Sequence, residues 1–131
     1  MRSQILFISG RAEDASRLSG MLHALPLNLE HVPSLRQARN RLNYQEYGVI
    51  LTEADLPDGK WQDVLRLVQE CPQETEVIVT DPQADACFWA EALNLGAYDL
   101  LAQPFYEPEV RRILYNACSR APAREQGIAT V

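Results

Sequence analysis

Four short stretches place polar chemistry directly behind apolar runs. Ser9-Gly10-Arg11 follows QILFI (4–8), and Thr52-Glu53-Ala54-Asp55 follows GVIL (48–51). Thr80-Asp81 follows EVIV (76–79), and Gln103-Pro104 follows YDLLA (98–102). Carboxylates and hydroxyls at such points can attack an electrophile, hold a hard cation or orient a phosphoryl group. Each task needs partners. Crowded carboxylates repel one another unless a cation lies between them, a hard cation wants several oxygens in tight geometry, and a serine nucleophile needs a base within hydrogen-bond reach.

Several chemistries lack their residues. SGRAED, after the first apolar run, is neither a Walker sequence nor GxGxxG. No GxSxG elbow occurs. Ser9 stands at a strand-to-helix turn, but the sequence names no base for it. His23 and His31 lie outside any HExxH pattern, and Cys71, Cys87 and Cys118 share no close spacing. That spacing fits reduced thiols rather than a zinc site. An anion held at the helix start after Gly10, beside Arg11, stays open. No catalytic residue, metal or cofactor is assigned, and the chain is expected to bind rather than catalyse.

The elements that position these stretches follow from periodicity. QILFI, LNLEHV (27–32), YGVIL (47–51), EVIVT (76–80) and YDLLA are predicted strands. Only LNLEHV alternates polar with apolar side chains, as an edge or half-buried strand would; the others are covered on both faces. Helices are predicted over 12–24 (Ala15, Leu18, Met21, Leu22, Leu25 inward), from Ser34 as cap (Leu35, Ala38, Leu42), and after the Asp58-Gly59 turn (Trp61, Val64, Leu65, Val68). A fourth, capped by Asp81, carries Ala84, Cys87, Phe88, Ala92 and Leu95 and ends at Gly96. The last runs from Glu107 to about Arg120, with Val110, Ile113, Leu114 and Ala117 inward. Five strands alternating with five helices predict a doubly wound α/β domain with a five-stranded parallel sheet. Its site belongs at the carboxyl ends of the strands, where all four polar stretches fall.

The 131 residues suit one domain. It is expected over 1–120, with 121–131 as a frayed tail or the start of a linker. A net charge of −6 argues against a duplex nucleic-acid surface. Arg36, Arg39 and Arg41 cluster on one predicted helix and read as its solvated face. No apolar stretch approaches a membrane span and the N-terminus lacks the apolar core of a secretory signal, so the expected compartment is the cytoplasm.

The stretch VIVTDPQADACFWAEALNLGAYDLLAQPF (77–105) resembles the second half of a bacterial response-regulator receiver domain. Thr80, Gly96-Ala97-Tyr98-Asp99 and Gln103-Pro104-Phe105 carry the likeness. GVILTEADLPDG resembles the phosphoacceptor strand and the loop behind it, and the order of elements matches from about Gln4 to Arg120. The resemblance implies a flavodoxin-like topology and autophosphorylation helped by Mg²⁺. It also puts Glu53 at the phosphoacceptor position, Ser9 and Gly10 at the acidic-pair positions, Thr80 at the hydroxyl position, Gln103 at the lysine position and Leu100 at the switch position. Arg11, Asp55 and Asp81 are neighbours of that site.

Lost acids and a lost lysine imply a pseudo-receiver, a phosphorylation-independent interaction or dimerisation module of a two-component phosphorelay. Glu53 is expected to pair with Arg11 or to reach toward Thr80. The alternatives are a receiver still phosphorylated on an acidic residue and a small-anion or ligand-binding domain on the same fold. The resemblance implies a partner or homodimer surface on the fourth helix, fifth strand and fifth helix, where Trp89, Tyr98 and Tyr106 lie, and a possible linked output domain. Packing at the edge of the core is the competing reading of those aromatics.

Overall fold

A computed structural model describes residues 3–71 and 74–120; the expected tail or linker at 121–131 lies outside the described residues. In chain order the elements are β1 (Gln4–Ile8), α1 (Ala12–Met21), β2 (Asn28–Val32), α2 (Leu35–Leu42), β3 (Val49–Glu53), β4 (Asp55–Leu56), β5 (Gly59–Lys60), α3 (Trp61–Glu70), β6 (Glu76–Asp81), α4 (Ala86–Asn94), β7 (Asp99–Ala102) and α5 (Glu107–Ser119). The five longer strands form one parallel sheet in the order β2-β1-β3-β6-β7. This is the doubly wound, flavodoxin-like sheet expected from the alternation of elements.

Strand periodicity builds a core on each face. Successive side chains on a strand point to opposite faces. Leu6, Ile8, Ile50, Val77, Val79 and Leu100 therefore join Ala38, Trp61, Val64 and Ala92 in one apolar cluster. Ile5, Phe7, Val49, Leu51, Ile78 and Leu101 join Leu18, Val110, Ile113 and Leu114 in the other. Both faces need apolar residues, which is why these strands show no alternation in sequence. β2 sits at the sheet edge and is mostly half-buried.

Some boundaries differ from expectation, each for a tertiary reason. α1 stops at Met21 instead of reaching 24, and Ala24 adopts a φ of 68°. The Arg111 guanidinium donates to the Met21 and His23 carbonyls, satisfying groups at the helix end. β3 begins at Val49, two residues after Tyr47. The Tyr47 ring is fully buried and its hydroxyl donates to Glu30 Oε2 at 2.5 Å. Asp81 does not cap α4. Asp85 does, accepting from the Phe88 N–H at 2.8 Å, while Asp81 Oδ2 accepts from the Gln83 N–H within the preceding turn. Cys87 and Leu95, expected inward, are exposed, and Ala92 alone in α4 is buried. Gly96 follows α4 with a φ of 111°, the left-handed conformation that favours glycine.

The hairpin β4–β5 was not foreseen. Asp55 pairs with Lys60 and Leu56 with Gly59, and Pro57-Asp58 make the turn. Asp58 reaches across to α2 and accepts from the Leu35 and Arg36 N–H groups at 2.9 and 3.0 Å. Ser34, the expected cap, accepts from the Gln37 N–H at 3.3 Å. A Cβ on Gly59 would lie 2.9 Å from Asp63 Oδ2 and 3.0 Å from Leu35 Cδ2, so a larger residue here would have to displace the ends of those two side chains.

Candidate functional site

The register brings the four polar stretches to one edge of the sheet. Ile8 is level with Thr52, Glu53 with Thr80, and Asp81 with Ala102. The side chains at this edge form two separate hydrogen-bonded groups.

The first group ties the β1–α1 loop to β3. Glu53 is half-buried, and its Oε1 accepts from the Gly10 N–H at 3.0 Å. Ser9 is fully buried. Its Oγ accepts from the Arg11 N–H at 2.9 Å, its N–H donates to the Val32 carbonyl, and its own carbonyl lies 2.8 Å from His31 Nε2. Ser9 thus orders the loop so that the Gly10 N–H points at β3. Arg11 is exposed and sits at the start of α1 without forming an ion pair with Glu53.

The second group joins β6 to the end of β7. The Thr80 hydroxyl donates to the Leu101 carbonyl at 2.7 Å and accepts from Gln103 Nε2 at 3.1 Å. Thr80 is fully buried, and the Gln103-Pro104 peptide is cis. The group is neutral throughout, since a Gln amide donates without carrying charge. Glu53 is the register neighbour of Thr80, yet its carboxylate is committed to Gly10. Neither expected pairing of Glu53, with Arg11 or toward Thr80, is the one the structure adopts.

The remaining positions are dispersed. Asp55 is exposed on β4, Asp81 is half-buried at the end of β6, and Leu100 is buried in the first core cluster. Among the described residues no group of three or more His, Cys, Asp or Glu side chains could hold a metal ion. The Mg²⁺ implied by the resemblance therefore does not fit the residues at hand, and Ser9 and Gly10, which the resemblance sets at the acidic-pair positions, carry no carboxylate. On α4, Trp89 is 48% exposed and its Nε1 donates to Asp99 Oδ1 at 3.2 Å. Tyr106 is 66% exposed, whereas Tyr98 is half-buried under the Arg120 guanidinium.

No protein-family model matches the chain. The response regulator protein PilR of Pseudomonas aeruginosa is 24% identical over 126 residues, covering 95% of this chain and 28% of PilR. The response regulator protein TodT of Pseudomonas putida is 24% identical over 114 residues, covering 87% of this chain and 50% of TodT. The chain thus spans half or less of the length of these relatives. Among solved structures, a signal receiver domain from Vibrio parahaemolyticus superposes with a TM-score of 0.86 at 19% identity, covering 98% of each chain. The chain has the fold of a bacterial receiver domain. Two further receiver structures agree. The beryllofluoride-activated NtrC4 receiver domain dimer gives a TM-score of 0.79 at 22% identity, covering 87% of this chain and 94% of that one. The receiver domain of sensor histidine kinase PA1611 from Pseudomonas aeruginosa, with magnesium in its active site cleft, gives 0.77 at 23% identity, covering 92% and 100%.

The fold accounts for all four polar stretches meeting at one edge, the carboxyl ends of the parallel strands. No helix among the described residues is long and apolar enough to cross a membrane. Two structural residues escaped the sequence reading. Asp58 was visible only as a turn signal, because its partners lie 22 and 23 residues away. Tyr47 reads as the first residue of a strand, while its hydroxyl joins Glu30, which also binds Arg41 at 2.5 Å.

Proposed function

We propose that the chain is an atypical receiver module of a two-component phosphorelay, cytoplasmic, acting through protein contacts without being phosphorylated. The observation that carries this reading is the engagement of the Glu53 carboxylate by the Gly10 N–H, beside a neutral Thr80–Gln103 pair. Phosphoryl transfer depends on positioning and on cationic stabilisation of developing charge. At this edge the acceptor position holds a longer side chain, the lysine position holds a neutral amide, and the acidic-pair positions hold none of the needed carboxylates. A misplacement of about 1 Å alone can cost about a hundredfold in rate. The contact surface would be the face of α4, β7 and α5, with Trp89 and Tyr106 as its exposed aromatics and Tyr98 beside them. A second copy or a protein partner would cover that face, and an output domain linked to this one would receive the signal.

A second reading is favoured by the comparisons. The matched proteins are named response regulators, one receiver is described as activated by beryllofluoride and another holds magnesium in its cleft. On likeness alone, a receiver still phosphorylated on an acidic residue, here Glu53, is the better supported alternative. Incubation with acetyl phosphate and Mg²⁺, followed by intact-mass measurement and peptide mapping, separates the two. The first reading expects no phosphoryl mass gain. A stoichiometric gain mapped to Glu53 establishes the second.

A further inference from the structure

α4 is apolar in composition yet buries little of itself. Of its nine residues only Ala92 is buried, while Ala86, Cys87, Trp89 and Ala90 are exposed. A helix lying on a sheet ordinarily shows solvent a polar face, so these side chains form an uncovered apolar one. The Trp89 ring is its largest member, held at the β7 edge of the sheet by the bond from Nε1 to Asp99 Oδ1. The surrounding charge has one sign: between Arg66 and Arg111 the chain carries nine carboxylates and no lysine or arginine.

The opposite charge stands on α2. Its sequence LRQARNRL has three arginines and no acid. Arg41 is taken by Glu30, whereas Arg36 and Arg39 form no ion pair among the described residues. These two arginines border a groove of about 370 Å³, lined also by Leu35, Asn40 and Asp58. Asp58 is already engaged there by the Leu35 and Arg36 N–H groups. An apolar side chain between two guanidinium groups suits an aromatic ring, whose body is apolar and whose face attracts cations. α2 packs on β2 and β1, and α4 packs on β7. Ring and groove therefore lie over opposite edges of the sheet and cannot meet within one molecule.

We propose that Trp89 of one copy docks in the Leu35–Arg36–Arg39 groove of a second copy. Charge complementarity selects this occupant, because the acidic surroundings of the ring then face the α2 arginines and both halves of the contact stand on the same chain. The contact pairs unlike surfaces, α4 with α2, and so differs from a dimer that sets α4 against α4. The inference rests on the reading of the α4, β7 and α5 face as a contact surface and names what covers it.

The test is sedimentation of the whole chain and of two variants at exposed positions, Arg39→Glu and Trp89→Ala. The parent chain is expected to associate with a dissociation constant on the order of 0.1 mM, as a small contact does. High salt should weaken it, since charges at the rim are screened. Arg39→Glu spoils the groove and Trp89→Ala removes the ring, so each alone is expected to associate about tenfold more weakly. Mixed in equal amounts, the two variants regain the contact once. The Arg39→Glu copy supplies the ring and the Trp89→Ala copy supplies the groove, so a heterodimer and nothing larger is expected. Melting temperatures verify that both variants fold, and Ala90→Arg, also exposed on α4, replaces Trp89→Ala if that one does not. Association of Arg39→Glu as strong as the parent's, with loss in Trp89→Ala, overturns this inference and leaves the α4 face a contact surface. A parent chain that stays monomeric, or a mixture that does, overturns it too. Phosphorylation at Glu53 is read by mass, so that part of the reading above fails or stands separately.

Discussion

The Gly10 N–H donates to Glu53 Oε1 at 3.0 Å across a sequence separation of 43 residues, closing the β1–α1 loop over the end of β3. The contact depends on reach. Glu53→Asp withdraws the carboxylate by about 1.5 Å, and the Gly10 amide is then expected to exchange with deuterium faster than in the parent protein. The same measurement on Glu53→Gln should show a smaller change, because the amide oxygen can still accept. Unchanged exchange at Gly10 in the Asp variant would mean that the contact contributes nothing in solution.

Asp58 holds the hairpin to α2. The Leu35 and Arg36 N–H groups keep its carboxyl below the ordinary range. Asp58→Ala should cost about 1 kcal/mol or less, as loss of a helix cap at an exposed position does. The sign of the pH effect follows from the lowered value. The stabilisation is present above the ordinary carboxyl value near 3.8 and disappears as pH falls through the lower folded value. Acid titration of the melting temperature checks this: parent and Asp58→Asn curves should converge at the acid end and separate above it.

Tyr47 supplies the alkaline counterpart. Burial first, then the bond to Glu30, pushes its hydroxyl up to about 12 from an ordinary 10. A raised value means that the contribution is complete below pH 10 and is lost between 10 and 12. Tyr47→Phe should lower stability by about 1 kcal/mol at neutral pH and flatten the alkaline limb of the stability curve. An identical alkaline limb in both proteins would refute the assignment.

The two tryptophans should behave differently. Trp61 is 4% exposed within the first core cluster, and Trp61→Ala is expected to cost about 3–5 kcal/mol. Trp89 is half-exposed, and its indole N–H donates to Asp99 Oδ1. Trp89→Ala should change stability by less than about 1 kcal/mol while shifting sedimentation toward the monomer. A large drop in melting temperature with an unaltered sedimentation profile would assign Trp89 to packing instead.

Gly59 tests how tightly the hairpin is seated. A Cβ there meets the side-chain ends Asp63 Oδ2 and Leu35 Cδ2 at 3.0 Å or less, so Gly59→Ala should destabilise by about 1 kcal/mol, the low end of overpacking, as those ends shift. A matched loss of protection at the Leu35 and Arg36 amides would show that the hairpin and the α2 start move together.

Apolar runs and breakers were enough to read the five long strands, their parallel sense and the edge to which Ser9, Glu53, Thr80 and Gln103 belong. Those features are written locally: a strand covered on both faces must be apolar throughout, and the helix between two parallel strands shows its own period. What each polar side chain binds is not local. Gly10 meets Glu53, Asp58 caps α2, Asp85 rather than Asp81 starts α4, and Gln62 is left without a donor. Hydrogen bonds act over about 3 Å, so partners are chosen by where the packed sheet sets neighbouring loops. The sequence by itself determined the scaffold and the place for chemistry; the tertiary structure decided that the carboxylate at that place closes a loop.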